Sequence, residues 1–148
     1  MKVDITITKS AEIEILDVAL LSKEEYEECE EYILPLDKWW WLRSPGDYQY
    51  SAAYVNSGSS LRYSYVFGDN GCIRPALYIL KSPFLKIGEK FNLAGYTWTV
   101  IDETIALCDN YIGKCCFRKE WQAEDANVYE VSDVKKHLEN WAKKNNLI

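Results

Sequence analysis

Short stretches in which apolar and polar residues alternate follow one another along most of this 148-residue chain. The alternation indicates half-buried β-strands, because successive side chains of a strand point to opposite faces. The segments predicted to be extended are Val3–Ile7, Ile13–Leu21, Trp39–Ser44, Ser51–Asn56, Leu61–Phe67, Ile73–Ile79, Phe91–Leu93, Tyr96–Ile101, Ile105–Cys108 and Gly113–Arg118. Glycine-containing turns separate the strands between 51 and 79 and predict an antiparallel meander.

Two segments carry helix signals instead. Ser22 begins a capping box, in which Glu25 lies three residues further on, and predicts a short acidic helix that ends near Glu31. Ser132 is a candidate cap for a last helix. The apolar stripe of that helix comprises Val134, Leu138 and Trp141. The stretch 120–130 is predicted to be a polar loop.

Length and composition predict one domain. With 148 residues and 48% hydrophobic content, the chain is large enough for a hydrophobic core and does not resemble a disordered sequence. Ser82–Pro83 separates two halves, 1–81 and 84–148, but it is too short to link independent domains. We therefore expect a single domain over 1–148.

The chain is acidic, with a net charge of −6. This balance argues against nonspecific binding to nucleic acid or to an anionic membrane. No apolar segment follows Met1, and no apolar run approaches the length of about 18 residues that a membrane-spanning helix needs. The sequence therefore predicts synthesis in the cytoplasm without a signal peptide, and no membrane insertion.

Patterns for catalysis and metal binding are weak. The five cysteines are odd in number and show no C-x-x-C spacing, which favours reduced, mostly buried thiols, including the adjacent Cys115–Cys116. The single histidine, His137, falls in the last predicted helix, where a structural or solvent-facing role is favoured over a catalytic base. Glycine-rich phosphate loops are missing, and Asp69–Asn70 fits a turn better than a calcium site. We expect no catalytic residue, no cofactor and no metal.

The segment from Asp47 to Gly71 has the composition of a binding surface. Tyr, Ser, Gly, Asn and Asp make up 17 of its 25 residues, and neither lysine nor glutamate occurs between Trp39 and Leu80. Tyrosine provides a large contact area at low entropic cost, while Ser, Gly and Asn provide adaptable hydrogen bonds, as in antibody paratopes. We predict noncatalytic recognition of a protein or glycan ligand. A buried, β-rich half of the molecule is the alternative interpretation.

The predicted contact residues lie on the strands and turns of this segment. Alternation places Tyr63, Tyr65 and Phe67 on one face of their strand, without deciding whether that face is exposed. The turns are the safest surface positions. The predicted contact set is Tyr48, Tyr50, Tyr54, Asn56, Ser57, Arg62, Tyr63, Tyr65, Asp69 and Asn70.

Three tryptophans and two arginines accompany this segment. Trp39, Trp40 and Trp41 are consecutive, so a strand would place two of them on one face, and at least one should be buried. Arg43 and Arg74 stand at predicted strand ends, where a guanidinium group bonds loop carbonyls or a carboxylate, or binds an anionic group of a ligand. Both roles of the arginines stay open at this point.

An ordered series of short motifs resembles a known family. The series consists of Trp40–Gly46 (WWLRSPG), Ala52–Asn56 (AAYVN) and Ile73–Leu77 (IRPAL). It resembles uncharacterised bacterial and phage domains with a WWLRSPG…AAYV…VRPAL signature, which are similar to the formylglycine-generating-enzyme branch of C-type lectin-like proteins. The resemblance implies an α+β, C-type lectin-like fold with an antiparallel sheet and two helices. Because the half with Gly95–Trp98 follows the signature here, the halves are either permuted within one fold or form two lobes.

The resemblance also implies a biological setting. Similar domains serve as variable proteins of diversity-generating retroelements, in which adenine mutagenesis diversifies a binding surface on a rigid scaffold. Residues 47–72 come almost wholly from the amino acids that such mutagenesis of AAC-type codons produces. Display on a phage particle or a bacterial cell is implied as well. Two rival functions stay open: a small phage-encoded inhibitor that uses the acidic Glu24–Glu31 helix, and a formylglycine-generating enzyme with reactive cysteines.

Overall fold

The computed structural model describes residues 1–6, 9–68 and 70–148. Over these residues the chain forms twelve strands and two α-helices, with two short 3₁₀ turns. The strands are β1 (Lys2–Thr6), β2 (Lys9–Glu12), β3 (Ile15–Ala19), β4 (Trp40–Pro45), β5 (Ser51–Val55), β6 (Leu61–Tyr65), β7 (Gly71–Ile73), β8 (Ala76–Ile79), β9 (Lys90–Leu93), β10 (Tyr96–Asp102), β11 (Ile105–Cys108) and β12 (Gly113–Cys115). The helical elements are α1 (Lys23–Cys29), α2 (Asp133–Lys144) and the 3₁₀ turns Glu30–Tyr32 and Tyr129–Val131.

The strands of the described ranges form three sheets. β1 and β2 make a two-stranded sheet, and the two five-stranded sheets have the orders β3-β8-β11-β10-β9 and β12-β7-β4-β5-β6. Among these strands, β4 and β7 pair in parallel through Trp40 and Cys72, whereas the other neighbours are antiparallel. Each five-stranded sheet combines strands from both sides of Ser82–Pro83.

The predicted α+β fold of the C-type lectin-like type is wrong for this chain. The described residues form a mostly β structure of three sheets, and the two α-helices contain only 7 and 12 residues. The physical reason is the two-residue apolar alternation along most of the chain, which suits strands with one face on the core. Helical caps precede only the two short helical segments.

Most strands form close to their predicted positions, with two differences. The strand β2 (Lys9–Glu12) was not predicted. The predicted strand Ile73–Ile79 is divided at Arg74–Pro75 into β7 and β8, which belong to different sheets. Proline lacks the N–H group that a continuous ladder would need, so it favours this division. The predicted extension of the first strand to Ile7 lies outside the described residues.

The capping box predicted at Ser22 is confirmed. Ser22 Oγ accepts the N–H of Glu25 at 3.0 Å, and Glu25 Oε1 accepts the N–H of Ser22 at 2.8 Å. Glu25 Oε1 also accepts bonds from Arg43 Nη1 and from the Tyr78 hydroxyl, each at 2.7 Å. Although burial opposes ionisation of Glu25, the hydrogen bonds from Ser22, Tyr78 and Arg43 hold its pKa below the ordinary value. Since Arg43 Nη1 also donates to the carbonyl of Leu20 at 2.8 Å, this arginine has a structural role.

Glu25→Gln is expected to destabilise the protein by about 1–3 kcal/mol at neutral pH, because glutamine can keep the cap but not the charge beside Arg43. The folded state lowers the pKa of Glu25, so its stabilising contribution is complete above about pH 4.5 and is lost as pH falls through the folded pKa. Urea denaturation across this range should show the difference between the wild type and the variant shrinking at acidic pH. Glu28→Gln, at an exposed position of α1, should leave stability nearly unchanged. A pH-independent effect of Glu25→Gln would contradict the ionic role.

Buried apolar side chains form two clusters in the described part of the molecule. The predicted alternation of the tryptophans is confirmed, since Trp41 lies in the first cluster and Trp40 in the second. Trp39 is half-buried and meets Trp41 edge to face, with ring centroids 4.9 Å apart. In α2, Val134 and Leu138 are fully buried, which confirms the predicted stripe at these positions.

Candidate ligand-binding surface

Five aromatic side chains form a continuous row of contacting rings. Tyr48 and Tyr50 are stacked, with centroids 5.5 Å apart and ring planes 6° apart. Tyr50 contacts Tyr65 at 5.6 Å, and Tyr65 contacts Phe67 at 5.8 Å, with the planes tilted by 31° and 34°. Phe67 stacks on Trp121 at 4.6 Å. Together these five residues form the aromatic row.

Three rings of the aromatic row are open to solvent. Tyr48 is 64% exposed, Tyr65 is 57% exposed and Trp121 is 38% exposed. Tyr50 and Phe67 are half-buried and pack against the core. Aromatic rings at these separations attract one another, so each ring restricts the position of the next. The row is therefore an ordered surface that combines apolar ring area with phenol groups.

A turn at residues 46–50 and the end of β6 bring the tyrosines together. In the turn, the N–H of Gly46 donates to the carbonyl of Ser51 at 2.8 Å. Glycine suits this close approach, because a Cβ atom on Gly46 would lie 2.3 Å from Ser51 Oγ and 3.0 Å from the backbone carbonyl carbon of Ser51. The carbonyl of Tyr50 accepts the N–H of Val66 at 2.9 Å, which places Tyr50 beside the C-terminal end of β6.

The loop that holds Trp121 is bonded to the same turn. Gln49 Nε2 donates to the carbonyl of Ala123 at 3.1 Å. Asn127 Nδ2 donates to the carbonyl of Tyr48 at 3.0 Å. These two bonds join segments that are far apart in the sequence. The aromatic row is thus assembled from three separate parts of the chain.

Tyr48, Tyr50 and Tyr65 are the members of the predicted contact set that the structure brings together in the row. Tyr54 lies elsewhere: it is half-buried, and its ring centroid is 4.8 Å from that of Trp39. Tyr54 therefore contributes to the packing around the tryptophans.

Two further predicted contact residues lie on β6 outside the row. Tyr63 is exposed, and its hydroxyl group accepts a bond from Lys23 Nζ of α1 at 3.3 Å. Arg62 is also exposed, and its Nη1 donates to the carbonyl of Leu61 at 3.1 Å. Both side chains therefore have local partners.

The described polar members of the predicted set lie in the turn after β5 and just before β7. Asn56 Oδ1 accepts the N–H groups of Gly58 and Ser60, each at 2.9 Å, so its amide shapes the turn after β5. Ser57 is exposed in this turn. Asn70 is exposed and lines a groove beside α2. Asp69 lies outside the described residues.

Sequence reasoning did not include Phe67 and Trp121 in the contact set. The alternation already placed Phe67 on one strand face with Tyr65, so a signal for Phe67 was present. Trp121 lies in the stretch predicted to be a polar loop, and no local pattern connects it with Tyr48. Its place in the row depends on tertiary contacts alone.

Burial shields two of the cysteines, and two cysteines lie in one groove with the single histidine. Burial raises the pKa of Cys108 to about 11 and that of Cys115 to about 12, so both thiols stay protonated at neutral pH. Cys115, Cys116 and the exposed His137 line the groove beside α2, which has a volume of about 630 Å³. Within the described ranges, no cluster of three or more His, Cys, Asp or Glu side chains could hold a metal ion. The helices seen in those ranges are not long and apolar enough to cross a membrane.

The described structure is mostly β, and it carries the aromatic row on the 46–50 turn, at the end of β6 and on the loop that holds Trp121. The chain belongs to the family described as domain of unknown function (DUF6273), whose sequence model matches residues 7–81. The matched region contains the WWLRSPG, AAYVN and IRPAL motifs and four of the five rings, whereas Trp121 lies beyond it. Neither a curated protein nor a solved structure matches this chain.

Proposed function

We propose that this protein is a noncatalytic recognition protein that binds a protein ligand through the aromatic row. The row itself is the observation that supports this function most. An exposed aromatic cluster on a folded protein is typical of an interaction surface, and Tyr and Trp often contribute most of the binding energy. The raised pKa values of Cys108 and Cys115 favour binding over cysteine-based catalysis.

The arrangement of the rings favours a protein ligand over a glycan. Sugars stack on the open faces of aromatic rings, whereas the faces of Tyr50 and Phe67 lie against their neighbours in the row. Tyr48 and Tyr65 are more than half exposed, and exposed tyrosines are the residues with which antibody paratopes contact a protein surface. Glycan binding is therefore the alternative outcome of the experiment below.

A paired capture experiment tests this function. The wild-type chain and a variant with Tyr48→Ala and Tyr65→Ala are immobilised and exposed to bacterial lysates, and both are applied to a glycan array. We expect a protein that the wild type retains and the variant does not. Glycan binding that depends on the two tyrosines would replace the protein ligand with a sugar. Identical retention by both chains would contradict the role of the row.

Exposed glutamates on α1 favour a second candidate function, inhibition of a host protein through an acidic surface. Glu24, Glu27 and Glu28 are all exposed on this helix. Reversing these charges should abolish capture if the acidic face is the contact surface. The same reversal should leave capture intact if the aromatic row is the contact surface.

We further propose, from composition and family resemblance, that the surface is diversified in the manner of retroelement variable proteins. Residues 47–72 contain exposed positions such as Tyr48 and Tyr65 and fully buried positions such as Ala52 and Ala53. Larger side chains at buried positions commonly cost about 1–3 kcal/mol, so a diversified scaffold should keep them constant. Sequencing of related loci should find substitutions concentrated at the exposed positions. Substitutions spread evenly along the chain would contradict diversification.

A further inference from the structure

Arg74 is a buried cation whose terminal nitrogens have no partner in the described part of the protein. The residue is only 1% exposed, and its Nε donates to the carbonyl of Cys108 at 2.6 Å. The guanidinium carbon lies 4.9 Å from the ring centroid of Trp40. Nη1 and Nη2 form no hydrogen bond with any described residue. Because buried donors without partners are costly, these nitrogens call for a partner that the described residues do not supply.

Neighbouring acidic groups do not satisfy these donors. Asp109 favours the charged form of Arg74, but its carboxylate already accepts bonds from Lys90 Nζ and Thr99 Oγ1. Burial lowers the pKa of Arg74 to about 10, which leaves the guanidinium charged at neutral pH. The charge is therefore present, and the carboxylate of Asp109 is engaged with other donors.

A cavity of about 140 Å³ lies at Arg74, between α1, the loop that follows it and β5. The apolar residues that line it are Ile33, Pro35, Leu36, Trp40 and Val55. Among the polar lining residues, Tyr26 donates its hydroxyl proton to the carbonyl of Ser59 at 2.7 Å. Glu30, which is exposed, adds a carboxylate to the lining. Arg74 thus lines a mainly apolar cavity, and its two unpartnered nitrogens have almost no solvent-accessible surface.

We propose that this cavity binds a small monocarboxylate with a short apolar tail. The planar fork of Nη1 and Nη2 on Arg74 matches the two oxygens of a carboxylate. Trp40 and Val55 provide apolar surface for the tail. At about 30 Å³ per water molecule, the cavity has room for roughly four or five waters, which suits an acid of about three or four carbon atoms. A phosphate group fits less well, because it carries more charge and more oxygens than a carboxylate and would turn some of them towards the apolar walls.

The site is separate from the aromatic row, since the two share no residue. Its ligand can therefore be tested without knowledge of the protein ligand. A carboxylate bound at Arg74 would join α1, the following loop and β5 around one buried charge. Binding should stabilise the folded state by mass action.

Titration of the 148-residue chain with sodium propionate tests this proposal. We expect a saturable shift of the Arg74 Nε–H signal in ¹H–¹⁵N NMR spectra and a saturable rise in Tm. Propionamide, a neutral molecule of the same shape, should produce neither change, and sodium chloride at equal ionic strength should not shift the signal. No response to propionate, or an equal response to chloride or propionamide, would overturn the proposal.

Two variants distinguish binding of propionate in the cavity from a general effect of protein charge. Leu36→Trp places a larger side chain in the cavity from a loop and leaves Arg74 unchanged, so the affinity for propionate should fall by at least about tenfold. Lys86→Gln, which removes an exposed charge outside the cavity, should bind propionate like the wild type. Arg74→Gln should also lose binding of propionate. Because this variant also removes the buried hydrogen bond to the carbonyl of Cys108, it can lose stability as well, and Leu36→Trp is therefore the decisive variant. Unchanged affinity in folded Leu36→Trp would overturn the proposal.

Discussion

Alanine at both Tyr48 and Tyr65 is expected to weaken binding of the protein ligand by more than about a hundredfold while the protein stays folded. Both residues are more than half exposed, so their truncation removes little of the core. Three ring contacts are lost, each worth about 0.5–1.5 kcal/mol, and their sum stays below a typical folding free energy of about 5–15 kcal/mol. Truncation of one hot-spot residue costs at least about 2 kcal/mol of binding free energy, or roughly 30-fold in affinity. The double variant should therefore bind more than about a hundredfold more weakly.

Calorimetric titration with the captured ligand measures this loss, and thermal unfolding of the same samples measures stability. Tyr32→Ala is the matched control, because Tyr32 is an exposed tyrosine outside the aromatic row. Its variant should bind like the wild type. Wild-type affinity in the Tyr48 and Tyr65 double variant would exclude the row as the binding surface. A fall in Tm as large as that of a core variant would show that the row is structural.

Trp41→Ala is expected to reduce the free energy of unfolding by about 3–5 kcal/mol, a large share of the total stability of a typical domain. Trp41 has no exposed surface. Its ring packs against Trp39 and Phe117, and its Nε1 donates to the carbonyl of Cys115 at 2.9 Å. Alanine would leave a cavity and remove the partner of that carbonyl. The surroundings are tight, since a Cβ atom on Gly71 would lie 2.5 Å from Trp41 Nε1.

Urea denaturation of Trp41→Ala and Trp121→Ala compares a buried and a partly exposed tryptophan. Trp121→Ala should lose far less stability, because Trp121 is 38% exposed and lies at one end of the aromatic row. Trp121→Ala should instead weaken ligand binding. Equal losses of stability in the two variants would contradict the separation of core and surface tryptophans.

Local elements of the fold follow from local patterns. The Ser22–Glu25 capping box depends on bonds between residues three positions apart, and its atoms lie at the distances that the motif predicts. The opposite orientations of Trp40 and Trp41 depend only on the two-residue repeat of a strand. The family resemblance, by contrast, led to a wrong fold class, because shared motifs do not state how many strands pair or in which order.

The candidate surface was predicted less completely. Composition pointed to Tyr48, Tyr50 and Tyr65, but it could not separate them from Tyr54, which packs among the tryptophans. Exposure of a tyrosine depends on which elements cover its strand face, and those elements come from distant parts of the chain. Trp121 shows the same limit, since the bonds from Gln49 and Asn127 bring its loop to the row.

By itself, the sequence determined where most strands and both helices form, how the helices are capped and which tryptophans point apart, because these features depend on periodicity and on hydrogen bonds between near neighbours. Only the tertiary structure decided the strand order, the parallel pairing of β4 with β7, the membership of the aromatic row and the burial of Arg74. These features depend on contacts between residues far apart in the chain. Their free energy comes from surfaces that are buried together when the sheets, helices and loops pack.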